Sequence, residues 1–362
     1  MAELRRNPLT RKWIIYPQSN PDFKIIDERK TRARENHFLY PLEKNPCPYC
    51  PGSPSNHATP ILYVSKNQMF YARSRSLPEE WSIKVQSAQH PVFRIEDELN
   101  RKGVRLYDTM GSPGAHEVVI MSNTHGKAIW DFTVRELEDV FTVVNERMRD
   151  LLKDPRLGHQ FVYHIYGQDI GFLYNHAIMN LVVSPFIPEK IQCELSGAHD
   201  YFKMKERCLF CDIYEEELMA RQKDKQHGLI EESDAFVAYV PFFSSFPFEV
   251  WIQPTEHSSD FLNTSSSEIA ELSLISAKVF QCIHQSLGPI PIAVMLMNQP
   301  NIKWGISRGY WDTIHLDWHW SLRILPDFCW KEDEQCFFNY ATGSRINSVL
   351  PEHGAEYLRN HR

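Results

Sequence analysis

The sequence lacks three features, each of which would assign it to a particular class of protein. No apolar run approaches the roughly 20 residues that a membrane-spanning helix needs, so we expect no membrane partner. The opening residues, MAELRRNPLTRKW, contain no apolar core of a secretory signal, which predicts a cytoplasmic protein. Positive charge is not in excess, because 39 basic residues stand against 46 acidic ones for a net charge of -7, and we expect no nucleic-acid partner.

What the sequence does contain is the composition of an ordinary folded protein. Of its 362 residues, 43% are hydrophobic and 23% are charged, which excludes the disordered and fibrous classes. A chain of this length is expected to form two domains at about 150 residues each. It can also bury about three quarters of the surface that its unfolded chain exposes, which is enough for a sizeable core.

Eight cysteines are present, and four of them form two Cys-x-x-Cys pairs, Cys47 with Cys50 and Cys208 with Cys211. In a large chain without a secretory signal, such pairs indicate metal binding before disulfide bonds. A thioredoxin-like redox motif is the alternative. It is weaker for the first pair, because Cys47 follows Pro46 in a turn-rich segment and does not open a helix.

A series of features occurs twice along the chain, which indicates an internal duplication. A Glu-Val-x-Ile segment is followed, eight residues after its glutamate, by a histidine, and eight residues later by a capping box that starts an amphipathic helix. The first copy contains Glu117, His125 and Thr133, and the second contains Glu249, His257 and Ser265. The predicted helices span 133–153 and 265–287, and a strand follows each.

Both copies end in the same way. A histidine, His176 or His319, begins an alternating strand that runs to a proline, and a Cys-x-x-Cys pair precedes the whole series. Helices and strands mix within each copy in hairpin-like order. We therefore predict an α+β fold of two similar halves, 1–195 and 196–362.

Each half offers two cysteines and two histidines, which are the ligands of a closed, tetrahedral zinc site. The predicted first set is Cys47, Cys50, His125 and His176, and the predicted second set is Cys208, Cys211, His257 and His319. We thus expect two zinc ions per chain. The alternative for both sets is a pair of free thiols beside unrelated histidines.

The second half also allows a different metal site. Residues two apart on a strand share a face, so His315, Asp317 and His319 would point together if this segment were a strand. Two histidines and one carboxylate with open positions are typical of catalytic iron. His319 cannot serve both sites, and the iron set would leave Cys208 and Cys211 without a function.

These motifs resemble those of galactose-1-phosphate uridylyltransferase and its relatives in the histidine-triad superfamily. The resemblance covers nearly the whole chain and rests on ELRRNPLT-x-x-WII from Glu3, CPYCPG from Cys47, HEVVI from His116, and His176. It implies a duplicated histidine-triad fold, zinc at the first set of ligands and commonly a homodimer. The second Cys-x-x-Cys, with His257 and His319, resembles the zinc-bearing second half of the branch that includes ADP-glucose phosphorylase.

The resemblance also implies a chemistry, a double displacement through a nucleotidyl-histidine. In the family, the nucleophilic histidine lies two residues after the last zinc ligand of the first site. A glutamine two residues further on stabilises the phosphoryl oxygens. Counted from His176, the position of the nucleophile is Ile178 and that of the glutamine is Asn180. The nucleophile is therefore absent.

Other positions that handle the nucleotide in the family differ as well. Ile165 and Leu173 replace an asparagine and a serine of the family's phosphate loop. Gln18-Ser19-Asn20 stands where the family has an arginine, and Ala88 stands where it has a base-contacting asparagine. In the second half, Ser321 replaces the second histidine of a His-x-His pair. Ile165, Leu173 and Ile178 would line one pocket beside Asn180, and burying a phosphate against three aliphatic groups costs several kcal/mol. We expect a small, partly apolar or aromatic ligand there, or else a pocket that has filled in and become core.

Candidate catalytic groups remain near the altered loop. Asp169 is its only carboxylate and His164 lies just before it, so a His–Asp pair could act as acid and base. Polar residues that simply face water are the alternative. Three functions stay open: an enzyme of altered chemistry, a non-catalytic binding or assembly module, and a nucleotidyltransferase that uses another nucleophile.

Overall fold

The structure is a computed structural model that describes residues 3–17, 46–73, 80–167, 174–223, 226–305, 312–326 and 334–361. Within these ranges, no helix is both long enough and apolar enough to cross a membrane. The helices are α1 (Val134–Leu151), α2 (Glu189–Lys205), α3 (Leu209–Gln222), α4 (Ser266–Leu287), α5 (Ile302–Gly305), α6 (Ile314–Asp317), α7 (Glu334–Thr342) and α8 (Pro351–Asn360). Two short 3-10 turns, Ile129–Asp131 and Phe261–Asn263, precede α1 and α4.

Sixteen strands are present in the described residues. In chain order they are β1 (Glu3–Arg6), β2 (Trp13–Tyr16), β3 (Pro60–Ser65), β4 (Gln68–Tyr71), β5 (Ile83–Ser87), β6 (Lys102–Val104), β7 (Tyr107–Thr109), β8 (Ala115–Ile120), β9 (His159–Tyr166), β10 (Ile178–Ser184), β11 (Leu229–Glu232), β12 (Phe236–Tyr239), β13 (Val250–Pro254), β14 (Ile292–Met297), β15 (Ser321–Pro326) and β16 (Arg345–Ile346). Most of them form one large sheet, and the hairpin β6–β7 stands apart.

The large sheet shows the duplication directly. Its eleven strands follow the order β11-β12-β13-β15-β14-β9-β10-β8-β5-β3-β4, and neighbouring strands run antiparallel. Read outward from the centre, β9-β10-β8-β5 of the first half corresponds to β14-β15-β13-β12 of the second. At the centre β9 pairs with β14, and Tyr163 lies directly opposite Met295. The predicted α+β fold of two similar halves is confirmed.

Helices α1 and α4 pack side by side on one face of this sheet. The predicted capping boxes are confirmed, because the hydroxyls of Thr133 and Ser265 accept the backbone N–H of Glu136 and Glu268, whose carboxylates bind back to the capping residues. The apolar stripe of each helix then meets the sheet in a single core. That core includes Leu137, Val140, Val144, Val162, Leu181, Leu272, Ile275, Val279, Val294 and Ile324. We call the opposite side of the sheet the front face.

The two Glu-Val-x-Ile segments do not occupy equivalent places, although their letters match. Glu117 lies within β8 on the helix side and forms a buried ion pair with Arg147 of α1. Glu249 precedes β13, and its carboxylate accepts the indole N–H of Trp251. When the two segments are aligned by sequence, the side chains that face the helices in β8 correspond to side chains that face away from the helices in β13. A shift of one residue along a strand has this effect, because successive side chains point to opposite faces.

The predicted boundary near residue 195 falls inside α2, which spans Glu189–Lys205. This helix lies on the front face of the second half, where Glu194 pairs with Arg323 of β15. The division into halves 1–195 and 196–362 as separate domains remains a prediction.

Both ends of the chain meet in a second, smaller sheet of order β1-β2-β16. β1 and β2 form an antiparallel hairpin, and β16 adds to β2 in parallel. Arg5 of β1 also pairs with Glu352 of α8 at 2.7 Å. The first and last described segments therefore hold each other in place.

The ion pair between Glu117 and Arg147 provides a test of the core. Glu117→Gln leaves the buried guanidinium of Arg147 with Asp150 as its one charged partner among the described residues, so we expect a loss of about 3 kcal/mol in the free energy of unfolding. The more exposed pair of Arg135 with Glu138, whose side chains are 59% and 27% exposed, gives the control, and Glu138→Gln should cost less than about 0.5 kcal/mol. Denaturant unfolding measures both losses. Equal losses would show that the buried ion pair stabilises the fold no more than the surface pair does.

Candidate metal centres and front face

The first predicted set of metal ligands converges in space. Cys47 and Cys50 lie in the turn after Pro46, His125 lies in the turn after β8, and His176 lies just before β10. The ligand atoms of all four residues lie within 4.8 Å of one another. The Sγ of Cys50 is 3.4 Å from Nδ1 of His125 and 3.7 Å from Nδ1 of His176.

The second set converges in the same manner. Cys208 caps the N-terminus of α3, Cys211 lies in its first turn, and the four ligand atoms of the set lie within 4.8 Å of one another. The Sγ of Cys211 is 3.4 Å from Nδ1 of His257 and 3.5 Å from Nδ1 of His319. The structure thus contains two candidate metal centres, one in each half.

The geometry of both sets fits a tetrahedral metal ion. With Zn–S near 2.3 Å and Zn–N near 2.1 Å, a tetrahedral site would hold sulfur and nitrogen about 3.6 Å apart, close to the separations observed. Two histidines also have an acceptor for their second ring nitrogen: Nε2 of His176 is 2.8 Å from the carbonyl of Ser122, and Nε2 of His257 is 3.0 Å from that of His315. Such outer hydrogen bonds fix the ring orientation and leave Nδ1 free for a metal.

The ionisation of these groups also suits metal binding. Burial lowers the pKa of His176 to about 4, which keeps the imidazole neutral and able to bind a metal. Hydrogen bonds from Cys211 and the two histidines hold the pKa of the Cys208 thiol well below its ordinary value. At neutral pH the second Cys-x-x-Cys therefore presents a thiolate, which is the form that ligates.

The structure does not bring together the residues of the alternative iron set, His315, Asp317 and His319. This set required one continuous strand, but His315 and Asp317 lie on the short helix α6 and only His319 approaches β15. Asp317 turns to Thr313 and His199 instead, at 2.7 Å and 3.1 Å. Helical geometry separates residues two apart onto different faces, so the three side chains do not converge.

The front face of the first half carries the two positions at which the family resemblance expects catalytic groups. Ile178 is only 5% exposed and packs against Trp81, Val118 and Ile120. Asn180 is half-buried, and its Oδ1 lies 3.2 Å from Nε2 of His116. No nucleophilic side chain takes the place of Ile178 among these contacts.

The remaining predicted pocket residues are placed only in part. Ile165, half-buried on β9, lies opposite Ala293 of β14 on the same front face. Leu173 lies outside the described residues, so the predicted group of three aliphatic side chains is seen only as Ile165 and Ile178.

Aromatic residues surround Ile178, and the sequence analysis missed them. Tyr49 packs against the apolar group that contains Ile178, and its ring meets that of Tyr174 edge-on at 6.0 Å. Tyr163 lies opposite Asn180 in the register of β9 with β10, and Phe161 stacks on it at 5.0 Å. Burial raises the pKa of Tyr49 to about 12, with Cys47, Tyr174 and Tyr163 adding to the effect, so its hydroxyl stays protonated.

The signal for this aromatic group was present in the sequence. Phe161 and Tyr163 are two apart on an alternating strand and so must share a face, and Tyr49 lies inside the first Cys-x-x-Cys. What could not be read was that the two segments meet across β10.

His164, the predicted acid–base residue, lies on the other side of the sheet. It is fully buried beneath the helices, and its Nδ1 lies 2.7 Å from the carbonyl of Ile178. Burial lowers its pKa to about 4, so it is neutral at physiological pH. Its ring is thus separated by the sheet from a ligand on the front face, and its predicted partner Asp169 lies outside the described residues.

The corresponding front face of the second half is closed. Arg323 of β15, the counterpart of Asn180, forms two hydrogen bonds to the carboxylate of Glu194 on α2, at 3.0 Å and 2.8 Å. The same guanidinium lies 3.9 Å from the ring centroid of Trp251, and Ser321 beside it is buried. Helix α2 therefore occupies the surface on which a ligand of the second half would bind.

Comparisons with known proteins agree with this architecture. No protein-family model matches the chain. ADP-glucose phosphorylase of Arabidopsis thaliana is 25% identical over 359 residues, which cover 99% of this chain and 92% of that protein. Galactose-1-phosphate uridylyltransferase of Thermotoga maritima is 24% identical over 364 residues, which cover 99% of this chain and 98% of that protein.

Solved structures show the same fold. The crystal structure of the Arabidopsis thaliana ADP-glucose phosphorylase with bound ADP-glucose matches with a TM-score of 0.75 at 24% identity, over 99% of this chain and 98% of that one. A galactose-1-phosphate uridylyltransferase-like protein of the same plant matches with a TM-score of 0.74 at 23% identity, over 100% and 99% of the two chains. The chain is thus similar over nearly its whole length to galactose-1-phosphate uridylyltransferase and ADP-glucose phosphorylase, and it shares the fold of the solved structures. At the position where the resemblance expects the nucleophilic histidine, the chain has Ile178.

Each candidate metal centre should bind its ion independently of the other. Cys50→Ser and Cys211→Ser remove one thiolate from one set, so we expect each variant to lose one of two metal equivalents and to melt at a lower temperature. Cys193→Ser, which alters a free cysteine outside both sets, is the matched control. Elemental analysis of dialysed protein and thermal unfolding provide the measurements. Full metal content and an unchanged melting temperature in Cys50→Ser would show that these thiols are free.

Proposed function

We propose that this protein is a zinc-containing member of the galactose-1-phosphate uridylyltransferase branch that binds a small, partly apolar or aromatic molecule on the front face of the first half, around Ile178. We further propose that it acts as an enzyme whose chemistry does not pass through a nucleotidyl-histidine. The observation that carries this proposal is the packing of Ile178. Its side chain is held by Trp81, Val118 and Ile120, and has no lone pair with which to attack phosphorus.

The surroundings of Ile178 favour an apolar ligand over a phosphate. A phosphoryl group needs several preorganised donors, and here its expected partners are replaced by Ile165, Ile178 and an Asn180 that already contacts His116. Tyr49, Tyr163 and Tyr174 supply flat aromatic surfaces instead, together with hydroxyl groups for one or two oriented hydrogen bonds. These properties match a ring-shaped molecule with a few polar substituents.

Zinc is assigned a structural role in both halves. Cys47, Cys50, His125 and His176 would hold one ion, and Cys208, Cys211, His257 and His319 the other. A zinc ion with four protein ligands has no open coordination position, and so it supplies cross-linking of the chain and not activation of water. In the first half, the ion would fix the start of β10 and with it the positions of Ile178 and Asn180.

Two other functions, a non-catalytic module and an enzyme of nucleotide sugars, can be distinguished from this one by experiment. The low exposure of Ile178 favours a filled, non-catalytic binding or assembly module, and the similarity to ADP-glucose phosphorylase favours action on a nucleotide sugar with another nucleophile. A co-purified small molecule, seen by native mass spectrometry and absent from Asn180→Trp, would support the ligand site over the module.

A homodimer in the cytoplasm remains our expectation for the assembly and location of the protein.

Metal identity can be tested directly. We expect about two zinc ions per chain, each with two sulfur neighbours near 2.3 Å in X-ray absorption spectra, because both sets offer two thiolates and two imidazoles. Iron with only nitrogen and oxygen neighbours in the second half would contradict the assignment of Cys208 and Cys211.

The absence of a nucleotidyl-histidine step is also testable. After incubation with UDP-glucose or ADP-glucose, intact-mass spectrometry should show no added nucleotide monophosphate, because Ile178 cannot attack phosphorus and His176 is expected to be a metal ligand. Ile178→His alone should not restore transfer, since Ile165 still gives the phosphate no donor. A nucleotide adduct mapped to any histidine of the unmodified protein would refute the proposal.

A further inference from the structure

A lysine is buried on the front face without an ionic partner. Lys84 of β5 is 6% exposed, and its Nζ lies 5.1 Å from the ring centroid of Trp81. No hydrogen bond or ion pair joins its ammonium group to another residue in the described ranges of the chain. The stem of Lys84 is buried beside Trp81, while its Nζ is not a buried atom, so its unpaired ammonium group keeps contact with solvent and is accessible to a ligand.

The nearest negative group does not remove this imbalance. Burial lowers the pKa of Lys84 to about 8, and the only opposing influence is the charge of Cys50, a ligand of the first candidate metal centre. A zinc ion there would cancel the charge of the two thiolates. The ammonium group would then face the front of the sheet without a net counter-charge.

Lys84 lies in the same row of side chains as the proposed ligand site. The register of the sheet places it opposite Ile120, which in turn lies opposite Ile178. Two strand spacings separate Lys84 from Ile178, about 10 Å between backbones. Trp81 packs in the group that contains Ile178 and also lies beneath Nζ of Lys84, so the apolar and cationic parts are continuous.

We propose that Lys84 binds a carboxylate on the ligand of the front face, whose apolar or aromatic body covers Ile178. The inference rests on the proposed function and narrows its ligand to an aromatic or apolar monoanion. A single compact ammonium group matches one singly charged group, whereas a phosphate recruits several donors or an arginine fork. At the corresponding place in the described residues of the second half, the cation Arg323 is already neutralised by Glu194.

The test compares two probes that differ in charge but not in size, phenylacetate and phenylacetamide. Calorimetric titration is performed on the zinc-loaded, full-length protein and on Lys84→Met, Lys84→Arg and Lys66→Met. Lys66 is a matched control, since its side chain is 82% exposed. Zinc content and melting temperature confirm that each variant is folded.

We expect phenylacetate to bind the unmodified protein at least ten-fold more tightly than phenylacetamide. Lys84→Met should lose this preference, while Lys84→Arg and Lys66→Met should retain most of it. Equal binding of both probes to the unmodified protein would overturn the role of Lys84 and leave the apolar site standing. Failure of both probes to bind would count against the site itself as well. Displacement of phenylacetate by an equal concentration of inorganic phosphate would show a phosphate site and would also overturn the inference.

Discussion

The antiparallel ladder between β9 and β14 is the interaction on which the rest of the structure depends. Without it, each half would end in an unpaired central strand, with a row of open backbone donors and acceptors. The pairing joins both halves into one sheet, with Tyr163 opposite Met295 on the front face. It also brings α1 and α4 side by side over a single core, so neither half is closed on the helix side by its own helix alone.

The two candidate metal centres set the ends of the strands that this ladder aligns. His125 and His176 come from the turn after β8 and the start of β10, and the Cys47–Cys50 turn closes over them. The metal ligands are different residues from Ile178 and Asn180, although Tyr49 lies between the two cysteines of the first set. The scaffold can therefore keep its metal ligands while the residues at positions 178 and 180 change their chemistry. In the second half, the same scaffold has lost its open front face altogether to the contact between Glu194 and Arg323.

The parts that could be predicted from sequence are those encoded within short segments. The capping boxes at Thr133 and Ser265 and the apolar stripes fixed both main helices to within two residues, and the repeated order of Cys and His gave both sets of metal ligands. The strand assumed for the iron set is not formed, because Ile314–Asp317 is a helix.

The parts that could not be predicted depend on contacts between distant segments. That His164 faces the helices follows from the register of β9 against β10, which one residue would reverse. Glu117 and Glu249 show this as well, because the two segments match in sequence but their glutamates lie on different faces of the sheet. Tyr49 lies in the first Cys-x-x-Cys and Tyr163 in β9, and only the folded chain brings these distant segments near each other.

The small sheet formed by the two ends of the chain affects how the protein is made. Ile15 of β2 pairs with Ile346 of β16, which leaves the ribosome roughly 330 residues later, or about 15 to 65 s later at ordinary rates of synthesis. During that interval the hairpin β1–β2 has one open edge, and Arg5 lacks the carboxylate of Glu352. This pairing can therefore form only late in synthesis, and a nascent chain stalled before β16 would expose its N-terminal hairpin to chaperones.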